Sequence, residues 1–461
     1  MELRRFSRGF ALCSALAALL APISPARANP YETRLDNGLH VIVKEDHRAP
    51  VAMHMVWYRV GAIDEHDGTT GVAHLLEHMM FKGTKTLKPG EFNEIVARAG
   101  GNDNAFTSHD YTAYFQRVPA AALPKMIELE ADRMRNLVIS DDEFARELKV
   151  VMEERRLRTD DQPQSQLHEQ LMATAFIAHP YRRPVIGWMN DLENMRPDDA
   201  RDWYRRWYAP NNAYVVVVGD VDHKKVFEQV KKAYGHMKPV QLPVRKMTAE
   251  PVQTGERRIT VKAPAELPQL AMTWKVPKLV DVSNDREPYA LEVLAGILDG
   301  HAASRLPKAL VRGSQVAVEV GAYYDATARG ETTFMLGGTP AKGHSVAELE
   351  AALRAEVKRI ADEGVSEAEL ERIKTLTVAA QVYKLDSTYV QAMEIGRMEA
   401  SGYRWQDADL MLEKLKSVTA AEVQAVARKY FGSDTLTVAV LDPQPLDPNA
   451  KPRAKPAGLR H

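Results

Sequence analysis

Tyr208-Ala209-Pro210-Asn211-Asn212-Ala213-Tyr214-Val215-Val216-Val217-Val218-Gly219-Asp220 decides the fold, because its plan is met twice. A Pro-Asn-Asn turn leads into an unbroken apolar run, the pattern of a strand buried on both faces. At an offset of 222, Tyr430-Phe431-Gly432-Ser433-Asp434-Thr435-Leu436-Thr437-Val438-Ala439-Val440-Leu441-Asp442 repeats it, and each copy follows a helical stretch. Upstream, Val51–Asp64 resembles Gln269–Asp281, and the helical segment ending at Gly83 resembles Tyr289–Gly300 at an offset of 217. Two matches at nearly one offset predict a tandem duplication of an α+β unit. The chain loses periodicity from Pro239 to Gly255, where Pro239, Pro243 and Pro251 suit a linker. The expected domains are therefore 29–238 and 257–442, joined by 239–256.

The first copy carries Gly71-Val72-Ala73-His74-Leu75-Leu76-Glu77-His78-Met79-Met80-Phe81. At about 100° per residue, Val72, Leu75, Leu76, Met79 and Met80 form one apolar stripe, with His74, Glu77 and His78 opposite. Thr69 or Thr70 is expected to cap this helix and Gly83 to end it. Two imidazoles four residues apart on one face can reach a single Zn²⁺, and a carboxylate beside them can take a proton from water that the metal acidifies. The bland counterpart is a surface helix with three solvated polar groups. The duplication argues against it. At the 217 offset, His74, Glu77 and His78 fall on Leu291, Leu294 and Ala295, so the same scaffold does without polar residues there.

Lys+Arg 61 against Asp+Glu 62 gives a net charge of −1, so no global field recommends nucleic acid or an anionic membrane as a partner. Arg4, Arg5 and Arg8 precede an apolar run from Phe10 to Ile23 and then Ala26-Arg27-Ala28. This reads as a secretory signal peptide over 1–28 and predicts a periplasmic or secreted protein. The run is shorter than the roughly 20 residues a spanning helix needs, so no membrane anchor is expected after cleavage. The only cysteine, Cys13, lies inside it. Disulfides, thiol nucleophiles and thiolate metal sites are thereby excluded, leaving histidines and carboxylates as ligands. The Pro- and Lys-rich end, 443–461, has the composition of a disordered tail.

A catalytic zinc site needs a third protein ligand. Asp141–Arg158 reads as a helix capped by Ser140, and it offers Glu143, Glu147, Glu153 and Glu154, among which periodicity does not choose. The turn-rich stretch Gly100–Thr107 leads into a strand ending near Val118 and is placed to border a cleft. His66, His109, His168 and His179 lack partner spacing, and His179-Pro180-Tyr181 reads as a structural turn.

The H-x-x-E-H order, a glutamate 76 residues after the second histidine, the strand opening with Gly101, Asn104, Ala105 and Thr107, and the duplicated plan together resemble the pitrilysin family of inverted zincins. That family includes insulin-degrading enzyme and the mitochondrial processing peptidase. The resemblance runs from Tyr31 to Asp442 and implies two tandem α+β domains, each a mostly antiparallel sheet with helices packed on it. It implies that His74, His78 and Glu154 bind one Zn²⁺ per chain, that Glu77 is the general base and that Glu147 orients a ligand from behind. A peptide substrate would add as a strand along Asn104, Ala105, Phe106 and Thr107.

One departure matters. Many family members carry, in the second domain, an arginine and, seven residues later, a tyrosine that hold the substrate. In the matching stretch here, Val311 and Val318 stand in those places, with Arg312 out of register and Glu319 seven beyond it. The protein expected is a zinc endopeptidase hydrolysing peptides or unfolded segments in an enclosed chamber. It would be the zinc-bearing half of a heterodimer whose other chain supplies the Arg/Tyr pair, or otherwise a homodimer. The alternatives are a non-catalytic binding or assembly subunit of the same fold, which the intact motif argues against, and a zinc hydrolase of non-peptide esters or amides.

Overall fold

Two sheets organise the chain, and both use one strand order. The computed structural model describes residues 29–246 and 248–446, so the expected signal peptide and most of the expected tail lie outside the described residues. The first sheet contains β1 (Tyr31–Arg34), β2 (His40–Glu45), β3 (Val51–Tyr58), β4 (Asn102–Thr107), β5 (Thr112–Pro119) and β6 (Ala213–Gly219) in the order β1-β2-β6-β3-β5-β4. The second contains β7 (Arg257–Pro264), β8 (Gln269–Val276), β9 (Ala317–Tyr324), β10 (Thr332–Pro340) and β11 (Leu436–Gln444) in the order β7-β11-β8-β10-β9. Without β1 the two orders correspond strand for strand. Each sheet is antiparallel except at one place, β2 with β6 and β7 with β11. β11 runs two residues past the expected boundary at 442, pairing Pro443 with Ala263 and Gln444 with Pro264.

The duplication stands, but both sequence offsets are one residue out of register. On β3, Ala52, Val56 and Tyr58 face the domain's own helices, while Met53, Met55 and Trp57 face the other way. On β8 it is Leu270, Met272, Trp274 and Val276 that face the domain's helices. Only an even offset preserves the faces, because a one-residue slip turns every side chain over. The matching value is 218. Likewise Ala213, Val215 and Val217 on β6 face their helices as Leu436, Val438 and Val440 do on β11, and the ladders pairing Val56 with Val215 and Trp274 with Leu436 make that offset 221. The 218 offset also aligns the buried helix residues Val72, Ala73, Leu75, Leu76, Met79 and Met80 with Ala290, Leu291, Val293, Leu294, Ile297 and Leu298. His74, Glu77 and His78 therefore correspond to Glu292, Ala295 and Gly296, not to Leu291, Leu294 and Ala295.

Each sheet carries its own domain's helices on one face and a helix lent by the other domain on the opposite face. Pro163–Ala175 lays Leu167 and Leu171 against Val261, Ala263, Ala439 and Leu441 of the second sheet. Thr388–Ala400 lays Ala392, Ile395 and Ala400 against Met53, Met55, Trp57, Tyr214, Val216 and Val218 of the first. The two helices are themselves counterparts, Leu167 and Leu171 matching Ala392 and Gly396. This exchange is why every residue of β6 is buried. Tyr214 donates its hydroxyl to the Gly396 carbonyl at 2.5 Å.

Among the described residues no helix or strand forms between Tyr234 and Arg257, where the linker is expected, yet Glu250 within it is fixed. Its carboxylate accepts the N–H groups of Ile177, Ala178 and His179 at 2.9 Å each and pairs with Lys275 at 2.6 Å. The β9–β10 turn docks on the first domain through Arg329, which donates to Asp64 at 2.6 and 3.1 Å and to the Asp110 carbonyl at 2.9 Å. No helix among the described residues is long and apolar enough to cross a membrane.

A Cβ at Gly396 would collide with the Trp57 indole, so the lent helix needs glycine there. Gly396→Ala is expected to destabilise the protein by about 1–3 kcal/mol, the usual range for overpacking. Gly432→Ala, where a Cβ meets nothing within 4 Å, should change stability by less than about 0.5 kcal/mol. Denaturant midpoints for the two variants check this, and equal midpoints would refute the helix-exchange contact.

Candidate metal centre

The helix Val72–Met79 is buried on all sides, its polar face included. Its start differs from the expected threonine cap. Gly71 takes the N-cap position with φ 87°, and the Glu65 carboxyl group accepts the N–H groups of Gly71 and Ala73 at 2.9 Å each. Thr70 turns away, donating its hydroxyl to Asp191 at 2.6 Å and accepting the Trp188 N–H at 2.9 Å. Gly71 also lies against the backbone of Ile186, 2.5 Å from where a Cβ would sit, so that position admits only glycine on two counts. The helix ends at Met79 with Met80 as its C-cap, short of Gly83.

The acidic helix runs Asp141–Arg155, capped by the Ser140 side chain accepting from the Glu143 N–H. It gives way to a π-helical turn, Arg156–Asp160, where a continuous helix to Arg158 was expected. Of its four glutamates, Glu154 and Glu147 turn inward. Glu143 and Glu153 pair with Arg146 and Arg156 away from the site.

His74, His78 and Glu154 converge, with one ligand atom from each within 4.8 Å of the others. Glu154 is 0% exposed. Its Oε2 lies 3.3 Å from His78 Nε2, and its Oε1 lies 3.7 Å from His74 Nε2 and 2.7 Å from Arg158 Nη1. Behind the site, Glu147 Oε1 is 3.0 Å from His78 Nδ1, and Lys82 Nζ is 2.5 Å from Glu147 Oε2. A hydrogen bond from Nδ1–H to Glu147 turns the Nε2 lone pair toward Glu154. Glu77 accepts the Thr107 hydroxyl at 2.5 Å.

Burial alone would depress His78, but Glu147, Glu154 and the Glu77 charge hold it up at about 9. Burial would raise Glu154, yet His78, His74 and Arg158 bring it down to about 2. Glu147 is likewise lowered, His78 and Lys82 outweighing its burial. The donor set fits Zn²⁺: two imidazoles and one carboxylate face one point, and buried His78 Nε2 and Glu154 Oε2 have no hydrogen bond, so a cation between them satisfies both.

Asn104, Ala105, Phe106 and Thr107 lie on β4, the sheet's edge strand beside the motif helix. They divide by face. Ala105 enters the core next to the helix and Thr107 reaches Glu77, whereas Phe106 packs against Trp57, Tyr111 and Phe115 on the reverse side. The other histidines do not join the cluster, and no second group of three ligands exists among the described residues. His109 Nε2 bonds the Arg183 carbonyl at 2.9 Å. His179 Nδ1 and Nε2 lie 3.2 Å from the Tyr181 and Glu331 N–H groups, of which the neutral ring accepts one, and burial lowers it to about 4, so it serves the domain junction rather than the metal. Three contributors went unread in the sequence. Glu65 and Lys82 carry no local signal, whereas Arg158 at i+4 from Glu154 was legible as an ion-pair spacing.

Residues 40–188 match the family description "Insulinase (Peptidase family M16)", and residues 194–377 match "Peptidase M16 inactive domain". The chain is 33% identical over 425 residues to the zinc protease PqqE of Helicobacter pylori, covering 89% of this chain and 92% of that protein. It is 28% identical over 408 residues to the zinc protease SCO5738 of Streptomyces coelicolor, covering 87% of each. The crystal structure of a protease from Helicobacter pylori superimposes with TM-score 0.85 at 32% identity, over 90% of this chain and all of that one. An M16-like peptidase of Alicyclobacillus acidocaldarius, 19% identical with TM-score 0.79, covers 90% of this chain and 98% of its own and shares the fold.

Two outcomes are expected for metal binding. Below pH 9 the metal-free His78 carries a proton, which Zn²⁺ must displace, so apparent zinc affinity should rise about tenfold per pH unit between pH 6 and 8. Competition with a chelator at three pH values measures it, and a flat profile would contradict the assignment of Nε2. Glu147→Gln should weaken zinc binding by about 10–100-fold while leaving all three ligands in place; unchanged affinity would remove Glu147 from the site.

Proposed function

The chain belongs to peptidase family M16, the insulinase family, and on that footing we propose that it is a zinc-dependent endopeptidase in which Glu77 activates the attacking water. The observation that carries this reading is the meeting of His74, His78 and Glu154 beside Glu77, under an edge strand. Zn²⁺ held by the three ligands supplies Lewis acidity, making water more acidic and a peptide carbonyl more electrophilic. The chain's own groups do the rest. Glu77 takes the proton from the attacking water and delivers it to the leaving amine, its orientation fixed by Thr107. Glu147 and Lys82 hold the His78 ring, and Arg158 holds Glu154. β4 pairs with β5 on one side only, so its outer backbone groups suit an added peptide strand spanning Asn104 to Thr107.

Two further parts belong to this reading. The signal-like sequence over 1–28 supports a periplasmic or secreted enzyme. The chain would act as the zinc-bearing half of a dimer. Val311 packs on the second domain's core and Val318 is 56% exposed on β9, so neither place offers a substrate-holding arginine or tyrosine. A non-catalytic subunit is the weaker alternative, since the "inactive domain" match begins at 194 and leaves the ligand set outside it.

Glu77→Gln should retain zinc and lose about 10²–10⁴-fold in peptide cleavage. Zinc analysis and peptide digestion on the same preparation check it, and cleavage at the wild-type rate would overturn the mechanism. Full activity of the purified chain, not increased by any co-purified partner, would overturn the heterodimer.

A further inference from the structure

A cavity of about 570 Å³ opens in the second domain between the helices Glu287–Asp299, Glu367–Lys384 and Thr388–Ala400 and the end of β9. The duplication identifies it. Glu292 on its wall occupies the place of His74 at the 218 offset. Ser140 and Ser366 both cap their helices, and that 226 offset puts Lys384 in the place of Arg158. The cavity is thus the second domain's counterpart of the metal cleft, kept open with different chemistry.

Five charged side chains line it: Glu292, Asp325, Lys384, Glu394 and Arg397. Four of them pair off, Lys384 with Glu394 at 2.9 Å and Arg397 with Asp325 at 3.8 Å. Glu292 is left over, with no ion pair or hydrogen bond among the described residues. Its side chain is exposed within the cleft, and the enclosing walls raise its carboxyl to about 7, with Asp325 adding to the shift and Lys384 opposing it. Tyr323, Tyr389, Met393 and Met411 supply aromatic and thioether surface, over the buried Tyr289 and Tyr324 and beside the polar Thr377 and Gln381. Tyr289 and Tyr324 spend their hydroxyls on the Val282 and Pro277 carbonyls, so they offer rings rather than donors.

We propose that this cavity binds an alkylammonium group, of the kind carried by a lysine side chain or a free diamine, with Glu292 as its counter-ion. One uncompensated carboxylate selects a cation, and aromatic and thioether walls select one on an apolar stem. An anion would meet Glu292 unshielded. A metal ion would lack ligands, because no group of three exists here among the described residues.

Calorimetry on the purified full-length chain tests this with three probes: Nα-acetyl-lysine methylamide, cadaverine, and the uncharged Nα-acetyl-norleucine methylamide. At least one amine is expected to bind, Glu292→Gln to weaken it tenfold or more, and the norleucine compound to fail. Binding of the lysine compound alone points to a peptide side chain, of cadaverine alone to a free diamine, and either supports the site. The proposal falls if neither amine binds, if the norleucine compound binds as well as the lysine one, or if Glu292→Gln binds like wild type. Should the variant not fold, the lysine–norleucine comparison on wild type decides alone. Because binding is read without cleavage, the result stands apart from the peptidase assignment.

Discussion

Two helices that have changed places hold the molecule together. Pro163–Ala175 and Thr388–Ala400 each leave their own domain and cover the open face of the other's sheet. Without them Met53, Met55, Trp57, Val216 and Val218 on one side, and Val261, Ala439 and Leu441 on the other, would face water. Burying each such side chain is worth about 1.5–3 kcal/mol, so the domain boundary is core rather than a hinge. The consequence reaches the site. The lent helix Pro163–Ala175 follows directly on the π-helical turn bearing Arg158, and anchoring the one steadies the other against Glu154. From the second domain Arg329 grips Asp64, the neighbour of the Glu65 that caps the motif helix, and its backbone and side chain grip Asp110, three residues beyond Thr107. The metal-free domain thereby fixes both the ligand helix and the edge strand beside it.

Within that frame, the centre concentrates charge where the protein is driest. Glu77, Glu147 and Glu154 are all buried, and buried ionised groups are expensive unless each is matched. The matching is specific: Lys82 for Glu147, Arg158 and two imidazoles for Glu154, a hydroxyl for Glu77. The second domain carries Ala295, Ile373 and Ala380 where these glutamates stand, so the fold itself does not require the carboxylates. Such an arrangement is retained for chemistry, and its cost is borne by the surrounding core. The raised His78 and lowered Glu154 are two readings of one attraction, and a metal ion inserted between them replaces the proton that otherwise mediates it.

How much of this was legible depended on whether the signal was local. The His74–His78 spacing and the apolar stripe opposite are properties of one helix and read directly. The duplication was legible too, but its register was not. In Val215–Val218 and in the alanine- and leucine-rich helices, neighbouring alignments score alike, and only the facing and pairing of strands in three dimensions separate 218 from 217 and 221 from 222. The cap was misread because Thr69 and Thr70 have the right chemistry in the right place, while Glu65 reaches the helix from across a turn. The exchange of helices left no mark, since a helix that crosses to the other sheet has the same stripe as one that stays. Glu154 and Glu147 were indistinguishable from Glu143 and Glu153 by pattern, and it was family resemblance that separated them.

The corrected register explains why one copy keeps a metal site and the other does not drift back to one. Gly296 stands in the place of His78, and Ile373, at the 226 offset, stands in the place of Glu147. A Cβ at Gly296 would lie 2.8 Å from Ile373 Cγ2, so the imidazole's space is already filled by the side chain that replaced its partner. Ala380 takes the position of Glu154. A histidine at 296 would clash with Ile373. The step that restores this histidine is therefore destabilising unless Ile373 changes with it. The same coupling protects the first copy, where losing one ligand strands the charges of the others. A metal centre of this kind behaves as a unit, and its replacement left Glu292 and Lys384, in the places of His74 and Arg158, facing the old cleft.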